Sequence, residues 1–290
     1  MSTQITTAFV EQYSSNVSML SQQMGSKLRG AVDVETIRGK NAFFDQIGAT
    51  AAVARTTRHG NTHQVNTPHS RRRVSLSDFE WADLIDDLDK VRMLVDPTSS
   101  YAKAAAAAMN RTIDDQIIAA LGGSADTGVA GGTAVALPSS SKFSTAQQTD
   151  GLTIAKLLET KFIFDNGSVD PSLKRYFVCG PKQIQDLLAT TEVKSSDFNT
   201  VKALAQGDIN SFLGFEFIMS NRLDTDATNT DDRLCFGFTE DAIKLAIGAD
   251  VKAKITERDD KSYATQVYYS MAIGATRMEE AKVFQVPCDE

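Results

Sequence analysis

The apolar positions along this chain change period several times, and each change marks an element. Val10, Val17, Leu20, Met24 and Leu28 are separated by seven, three, four and four residues, close to the helical repeat. They predict one amphipathic helix in an otherwise polar stretch, residues 1–40, with little of its own to bury against. Asn41 to Val53 is a short apolar run, and Val74 to Leu76 reads as a returning strand. Trp81, Leu84, Ile85 and Leu88 fall on one side of a helix, so Asp78 to Val95 is expected to be a short acidic helix. Asp96-Pro97 is a helix start, because proline in a first turn loses no needed hydrogen bond. From Lys103 a five-alanine run leads into Met109, Ile113, Ile117 and Leu121, and Gly122-Gly123 supplies the stop. That helix, Thr98 to Leu121, would be ~36 Å long at 1.5 Å per residue.

Gly122 to Asp150 is rich in Gly, Ala, Ser and Thr and reads as a boundary or exposed loop. Residues 152–247 then alternate between types. Helices are expected around Thr153–Phe164 and from Pro181, with Ile184, Leu187 and Leu188 inward. Strands are expected at Arg175–Cys179, Phe215–Met219 and Leu234–Phe238, which makes a small α/β domain. In the tail, Val251, Ala253 and Ile255 alternate with polar residues, Arg258-Asp259-Asp260-Lys261 makes a charged turn, and Tyr263, Thr265, Val267, Tyr269 and Met271 alternate after it. This is a long hairpin, broken at Gly274-Ala275-Thr276-Arg277 and followed by a last strand, Ala281 to Pro287.

Composition adds little beyond an ordinary folded protein. The 290 residues suit two unequal domains, with 42% hydrophobic residues, 23% charged residues and a net charge of −7. That charge argues against a surface given over to nucleic acid. No stretch approaches the ~20 apolar residues that span a bilayer. The first residues lack the charged and apolar blocks of a signal peptide. Cys179, Cys235 and Cys288 are few, odd in number and widely spaced, and two lie in apolar strand-like runs where a thiol acts as a small hydrophobe. A reduced, cytoplasmic setting is expected.

Charge distribution is more informative than charge total. Between Arg55 and Arg73 lie five arginines and all three histidines without one acid; between Asp78 and Asp89 lie six acids without a base. The tract RTTRHGNTHQVNTPHSRRR has no apolar periodicity and cannot fold onto its own core. It reads as a projecting loop whose partner is on another molecule. Arg55, Arg58, Arg71, Arg72 and Arg73 are the contact candidates, with Asp83, Asp86, Asp87 and Asp89 as the acids they would meet on a neighbour.

Other chemistry is weaker. His59, His63 and His69 sit among Gly60, Asn61 and Pro68 with no Cys or acid to complete a ligand set, so they read as exposed loop histidines. The arginine tract offers no aromatic on which a base could stack, which disfavours a nucleic-acid-binding role. Gly122-Gly123 and Gly131-Gly132 lack the Lys-Ser/Thr of a phosphate loop, and no nucleophile elbow is present. No enzyme activity and no cofactor or metal is expected.

The order of these parts resembles one family. A polar arm, a basic loop, an alanine-rich helix after Asp-Pro, a central α/β domain and a terminal hairpin closing with Gly-Ala-x-Arg are similar to the major capsid proteins of tailed bacteriophages. The resemblance covers essentially the whole chain. It implies an α+β, Hong Kong 97-type fold with an N-terminal arm at 1–40 and an extended loop at 41–77. A peripheral domain would comprise 78–149 and 246–290, with its spine helix at 98–122, and an axial domain would be 150–245. The turn Arg258, Asp259, Asp260 and Lys261 falls where the family places its three-fold contact.

Implied partners are further copies, in hexamers and pentamers of an icosahedral head around double-stranded DNA. A portal is implied too, with a decoration protein as an optional addition. Localisation would be the virion, assembled in host cytoplasm. Some members begin with a long removable scaffolding segment; none is expected here, so assembly would need a separate scaffolding protein, or none. The family's Lys–Asn cross-link has no matching motif. An encapsulin-type bacterial compartment shell is the alternative with the same fold.

Overall fold

The computed structural model describes residues 21–86, 98–143, 150–189, 211–226 and 231–290. The chain divides into two compact units. One draws on Met1–Ser26, Asp78–Thr112 and Ala249–Ala272, the other on Lys27–Ser77, Ile113–Gly248 and Ile273–Glu290.

Among the described residues, thirteen strands form three sheets. The first has the order β1 (Asp33–Thr36), β11 (Ile243–Arg258), β12 (Ala264–Arg277), β4 (Ser77–Ile85). The second runs β13 (Val283–Asp289), β10 (Asp232–Thr239), β7 (Arg175–Cys179), β9 (Phe215–Met219), β8 (Ser211–Phe212). The third runs β2 (Asn41–Ile47), β3 (His69–Ser75), β5 (Ala125–Thr127), β6 (Thr133–Val135). Three α-helices accompany them: α1 (Thr98–Gly122), α2 (Ile154–Asn166) and α3 (Pro181–Ala189).

The larger unit holds the five-stranded sheet. Every residue of β7 is buried, as a central strand covered on both faces requires. Phe177 from β7 meets Phe215 of β9 edge-on at 6.1 Å, and Phe164 of α2 reaches the same ring at 6.1 Å. α2 begins where the Thr153 side chain accepts a hydrogen bond from the Lys156 N–H, an N-cap that satisfies one of the helix's orphan donors. A second small cluster, Ile37, Val74 and Ala246 with Ala42, Phe44 and Leu76, seats the base of the β2–β3 hairpin.

The expected long helix is present as α1. Met109, Ile113, Ile117 and Leu121 are all buried, so the every-fourth-residue spacing identifies the inward face. Its last carbonyls are satisfied by one side chain. Arg277 is 0% exposed, and its Nη1 donates to the carbonyls of Gly123 (2.6 Å), Leu121 (3.1 Å) and Ala120 (3.4 Å). Its Nη2 donates to the Val135 carbonyl of β6 at 3.1 Å, and its Nε lies 3.8 Å from the Glu280 carboxylate. Burial pulls the pKa of Arg277 below its ordinary value, while Glu280 opposes that shift. Carbonyl dipoles at a helix C-terminus are where a cation is best placed.

Several expectations change. Asp78 to Ile85 is not a helix: it is part of the nine-residue strand β4, with Phe79, Trp81, Asp83 and Ile85 the less exposed positions. Trp81 and Ile85 fit a helical and an alternating spacing alike, whereas Leu84 fits only the helical one and is exposed on the strand. Pairing beside β12 decides the matter, and Leu88 and the stretch to Val95 lie outside the described residues. Residues 21–28 are irregular, with a short 3-10 turn at Arg29–Ala31, so the arm's helix does not continue through Met24 and Leu28. Residues 1–20 of the arm fall outside the described residues. Gly122 to Asp150 is not merely a loop, since β5 and β6 extend the third sheet from it. Gly274 to Arg277 does not break β12 but completes it. Gly274 is needed there, because a Cβ would collide with the Ser75 carbonyl of β3.

Two expected outcomes follow from this packing. Arg277→Met keeps the side chain's length but removes every donor, and leaving buried partners unpaired typically costs ~3–5 kcal/mol. Urea unfolding of the purified chain should show a loss of that order, with Arg277→Lys recovering only part, since one ammonium cannot reach carbonyls on both sides. Ile117→Ala should cost ~2–5 kcal/mol. Leu158→Ala, at a half-exposed position of α2, should stay within ~0.5 kcal/mol of wild type in the same assay.

Candidate assembly surfaces

The basic tract is split between a strand pair and the segment joining it. β2 and β3 pair antiparallel over seven residues, from Asn41↔Ser75 to Ile47↔His69. The Gly48 N–H donates to the Pro68 carbonyl at 2.9 Å and closes the ladder. From the end of the ladder outward, residues 47–70 are exposed without interruption. Thr57 to Gly60 form a turn, with His59 in the left-handed region at φ 58°.

Three of the five arginines lie on β3 and are engaged within the chain. Arg71 bonds Asp45 across the hairpin at 2.6 Å and 3.4 Å, and its guanidinium lies 5.4 Å from the centre of the Phe43 ring. Their hydrogen bond raises the pKa of Arg71 and lowers that of Asp45. Arg72 is buried; its Nη2 bonds both Glu280 oxygens at 2.6 Å and 2.7 Å, and its Nε donates to the Met278 carbonyl at 3.0 Å. Gln46, on β2, donates to the same Met278 carbonyl at 2.7 Å. Arg73 reaches Asp126 of β5 at 2.5 Å. Glu280 therefore stands between Arg72 and Arg277, and ties the hairpin to the end of α1.

Arg55 and Arg58 behave differently. The Arg55 Nε donates to the Thr57 carbonyl at 3.0 Å, and neither guanidinium meets an acid among the described residues. Of the proposed acidic partners, Asp83 lies on β4 and accepts from the Leu84 N–H at 2.8 Å. Asp86 is exposed just beyond β4, and Asp87 and Asp89 lie outside the described residues.

The β11–β12 turn carries its own ion pair. Arg258 holds Asp260 through two contacts of 2.7 Å and 2.6 Å and donates to Gln266 at 2.9 Å. That pairing raises the pKa of Arg258 and lowers that of Asp260. Asp259 and Lys261 are exposed. Ser262 and Tyr263 follow at φ 52° and 58°, uncommon values for non-glycine residues, and Tyr263 stands exposed.

An apolar surface also emerges that the sequence reading missed. On α2, Leu158 is 50% exposed and Phe162 62% exposed, while Leu157, Thr160 and Phe164 are buried on the opposite side. The signal was available: Leu157-Leu158 and Phe162-Ile163-Phe164 place apolar residues all round this helix. The within-chain roles of Asp45, Asp126 and Glu280 were missed as well. Asp45 and Asp126 sit directly opposite Arg71 and Arg73 in register, which only the strand pairing reveals.

Among the described residues no group of three or more His, Cys, Asp or Glu is arranged to hold a metal ion, and no helix is long and apolar enough to cross a membrane. These surfaces offer charged and apolar contacts.

Comparison with known proteins gives the same picture. The family model described as phage capsid protein matches residues 5–290. No curated protein matches the chain in sequence. Among solved structures, the capsid of cyanophage P-SCSP1u superposes with a TM-score of 0.76 at 17% identity, covering 99% of this chain and 94% of that one. A Mycobacterium phage Che8 structure gives 0.70 at 17% identity, covering 96% and 97%. The capsid of a native GTA particle gives 0.71 at 12% identity, covering 98% and 96%. The three sheets, the long helix and the basic hairpin are thus those of the Hong Kong 97-type capsid fold, and the chain belongs to the phage capsid protein family.

Proposed function

We propose that this chain is the major capsid subunit of a tailed phage, assembling into hexamers and pentamers of an icosahedral head that encloses double-stranded DNA. The observation that carries the reading is the unbroken exposure of residues 47–70. A stretch of that length, with Ile47, Val53 and Val65 48–70% exposed and no acid in it, buries little in its own subunit. It gains its contacts only from a neighbour. Membership of a capsid family supports the neighbour being another copy of the chain.

In this reading the arginines divide their work. Arg71, Arg72 and Arg73 fix the root of the hairpin, and Arg55 and Arg58 remain for acids on the adjacent subunit, with Asp83, Asp86, Asp87 and Asp89 as candidates. Leu158 and Phe162 supply an apolar contact between subunits. The Arg258–Lys261 turn meets its counterparts where subunits converge. The division into arm, extended loop, peripheral and axial domains belongs to the same proposal, as do assembly in the host cytoplasm and partnership with a scaffolding protein, a portal and a decoration protein. The role is geometric and involves no reaction.

Reversing Arg55 and Arg58 together to Glu should leave the subunit's circular dichroism and unfolding midpoint unchanged. Exposed ion pairs are worth only ~0–1 kcal/mol each, so the onset of assembly should move to roughly tenfold higher subunit concentration in light scattering. Raising salt should shift the wild type the same way. Unaltered assembly of the double variant at low salt would rule out an electrostatic role for the apex. Separately, Leu158→Lys with Phe162→Lys should yield folded subunits that sediment as smaller species than wild-type capsomers. Capsomers of normal size would remove α2 from the interface.

A further inference from the structure

The three cysteines are distant in sequence and lie on three different strands, β7, β10 and β13. The registers bring them together. Phe236 pairs with Val178, and the same antiparallel ladder continued by one residue sets Cys235 opposite Cys179. Arg233 pairs with Cys288, which puts Cys288 diagonally across from Cys235 on the neighbouring strand. Because side chains alternate between faces, all three thiols share one face of the five-stranded sheet. All three are buried. The Cys288 thiol donates to the Val286 carbonyl at 3.8 Å, and Val286 is the residue directly opposite Cys235.

Burial pushes the Cys179 thiol up to about 12 and holds that of Cys235 well above its usual value. A protonated, enclosed thiol is a poor nucleophile, so the cluster is inert while β13 is docked. β13, however, is an edge strand of its sheet, paired along its length with β10. It is held besides by the Phe143 N–H on the Gln285 carbonyl (2.9 Å), the Asp289 N–H on the Asp150 carbonyl (3.3 Å) and the Lys156 Nζ on the Pro287 carbonyl (3.0 Å). Its end is fastened by Glu290, whose N–H donates to the Asp231 carbonyl at 3.0 Å. The Glu290 carboxylate accepts from Arg233 at 3.0 Å and 2.7 Å and from Gln183 at 3.3 Å. Arg233 is the residue directly opposite Cys288, so this clasp closes beside the dithiol.

We propose that Cys235 and Cys288 form an oxidation site: a peroxide converts the pair into a disulfide that staples β13 to β10, at a rate set by opening of the Arg233–Glu290 clasp. When the strand end lifts, Cys288 loses its proton to water and its thiolate attacks one peroxide oxygen. The O–O bond breaks, leaving a sulfenic acid on Cys288 and a hydroxide that takes up the released proton. The Cys235 sulfur then attacks the sulfenic sulfur; an S–S bond forms, and the sulfenic oxygen leaves as water with the Cys235 proton. Two thiols and one hydrogen peroxide give one disulfide and two waters. Diagonal cross-strand neighbours stand ~7–8 Å apart, a little beyond the usual Cα span of a disulfide. Closure therefore draws β13 along β10, a shift open to an edge strand.

The test uses the full chain treated with hydrogen peroxide, quenched with catalase, alkylated in denaturant and mapped without reduction. Trypsin separates the three thiols into Tyr176–Lys182, Leu234–Lys244 and Val283–Glu290. The expected result is loss of two of the three thiols and a linked pair of the second and third peptides, two hydrogens lighter than their sum. Cys179→Ser should give the same link, and Cys288→Ser should give none. Glu290→Gln weakens the clasp and should speed closure by roughly two- to fivefold, the range an ion pair of ordinary strength allows. Wild-type mapping alone can overturn the proposal. A Cys179–Cys235 link, single thiols carried to sulfinic acid, or three intact thiols after exhaustive peroxide would each do so.

Discussion

The last carbonyls of a helix have no partner within it, and those at the end of α1 are gathered by a single buried guanidinium. Arg277 gathers the carbonyls of Ala120, Leu121 and Gly123 on one nitrogen and that of Val135 on another. Its Nε lies 3.8 Å from the Glu280 carboxylate, which is in turn held by Arg72. Four pieces of chain far apart in sequence are thereby fixed at one point: the end of α1, β6, the last residue of β12 and the root of the β2–β3 hairpin. A buried charge is costly unless each donor finds an acceptor, and carbonyl dipoles at a helix C-terminus meet that cost well. The glycine at 274 belongs to the same constraint, since β12 reaches this point only by passing against the Ser75 carbonyl.

The sequence discloses elements wherever one periodicity has no competitor. Arg175–Cys179 and Phe215–Met219 match β7 and β9 residue for residue, because short apolar runs between breakers leave little choice. α1 is equally legible from alanine content and fourfold spacing. Asp78–Ile85 is not, because Trp81 and Ile85 fit both periods, Leu84 favours the helical one, and only pairing with a neighbouring strand overrides it. Gly274 to Arg277 fails for a different reason. A glycine there signals a break when read locally, yet it serves a close approach between strands that no local signal records.

Charge is misread in a similar way. The arginine tract is correctly seen as acid-free, but an acid-free stretch of sequence is not an acid-free region of space. Asp45 lies before the tract and faces Arg71 through hairpin register; Asp126 and Glu280 arrive from much further away. Residues 48–68, beyond the ladder, keep the character that composition suggested. The cysteines show the converse. Wide spacing makes Cys179, Cys235 and Cys288 look independent, and strand registers place them side by side.

The hairpin's attachment also determines how it carries mechanical load. Tension applied to residues 48–68 along the hairpin axis pulls β2 and β3 in the same direction, so the seven-residue ladder between them bears almost none of it. The load passes instead to what holds the hairpin from outside. That is the short β3–β5 pairing, the Arg73–Asp126 contact, and the links from Arg72 and Gln46 to Met278 and Glu280. β3 meets β5 over only two residue pairs, so the side-chain links take a large share of the force. A tug on the apex is therefore delivered to the last turn of α1, and the hairpin acts as a stiff lever whose fulcrum is Glu280.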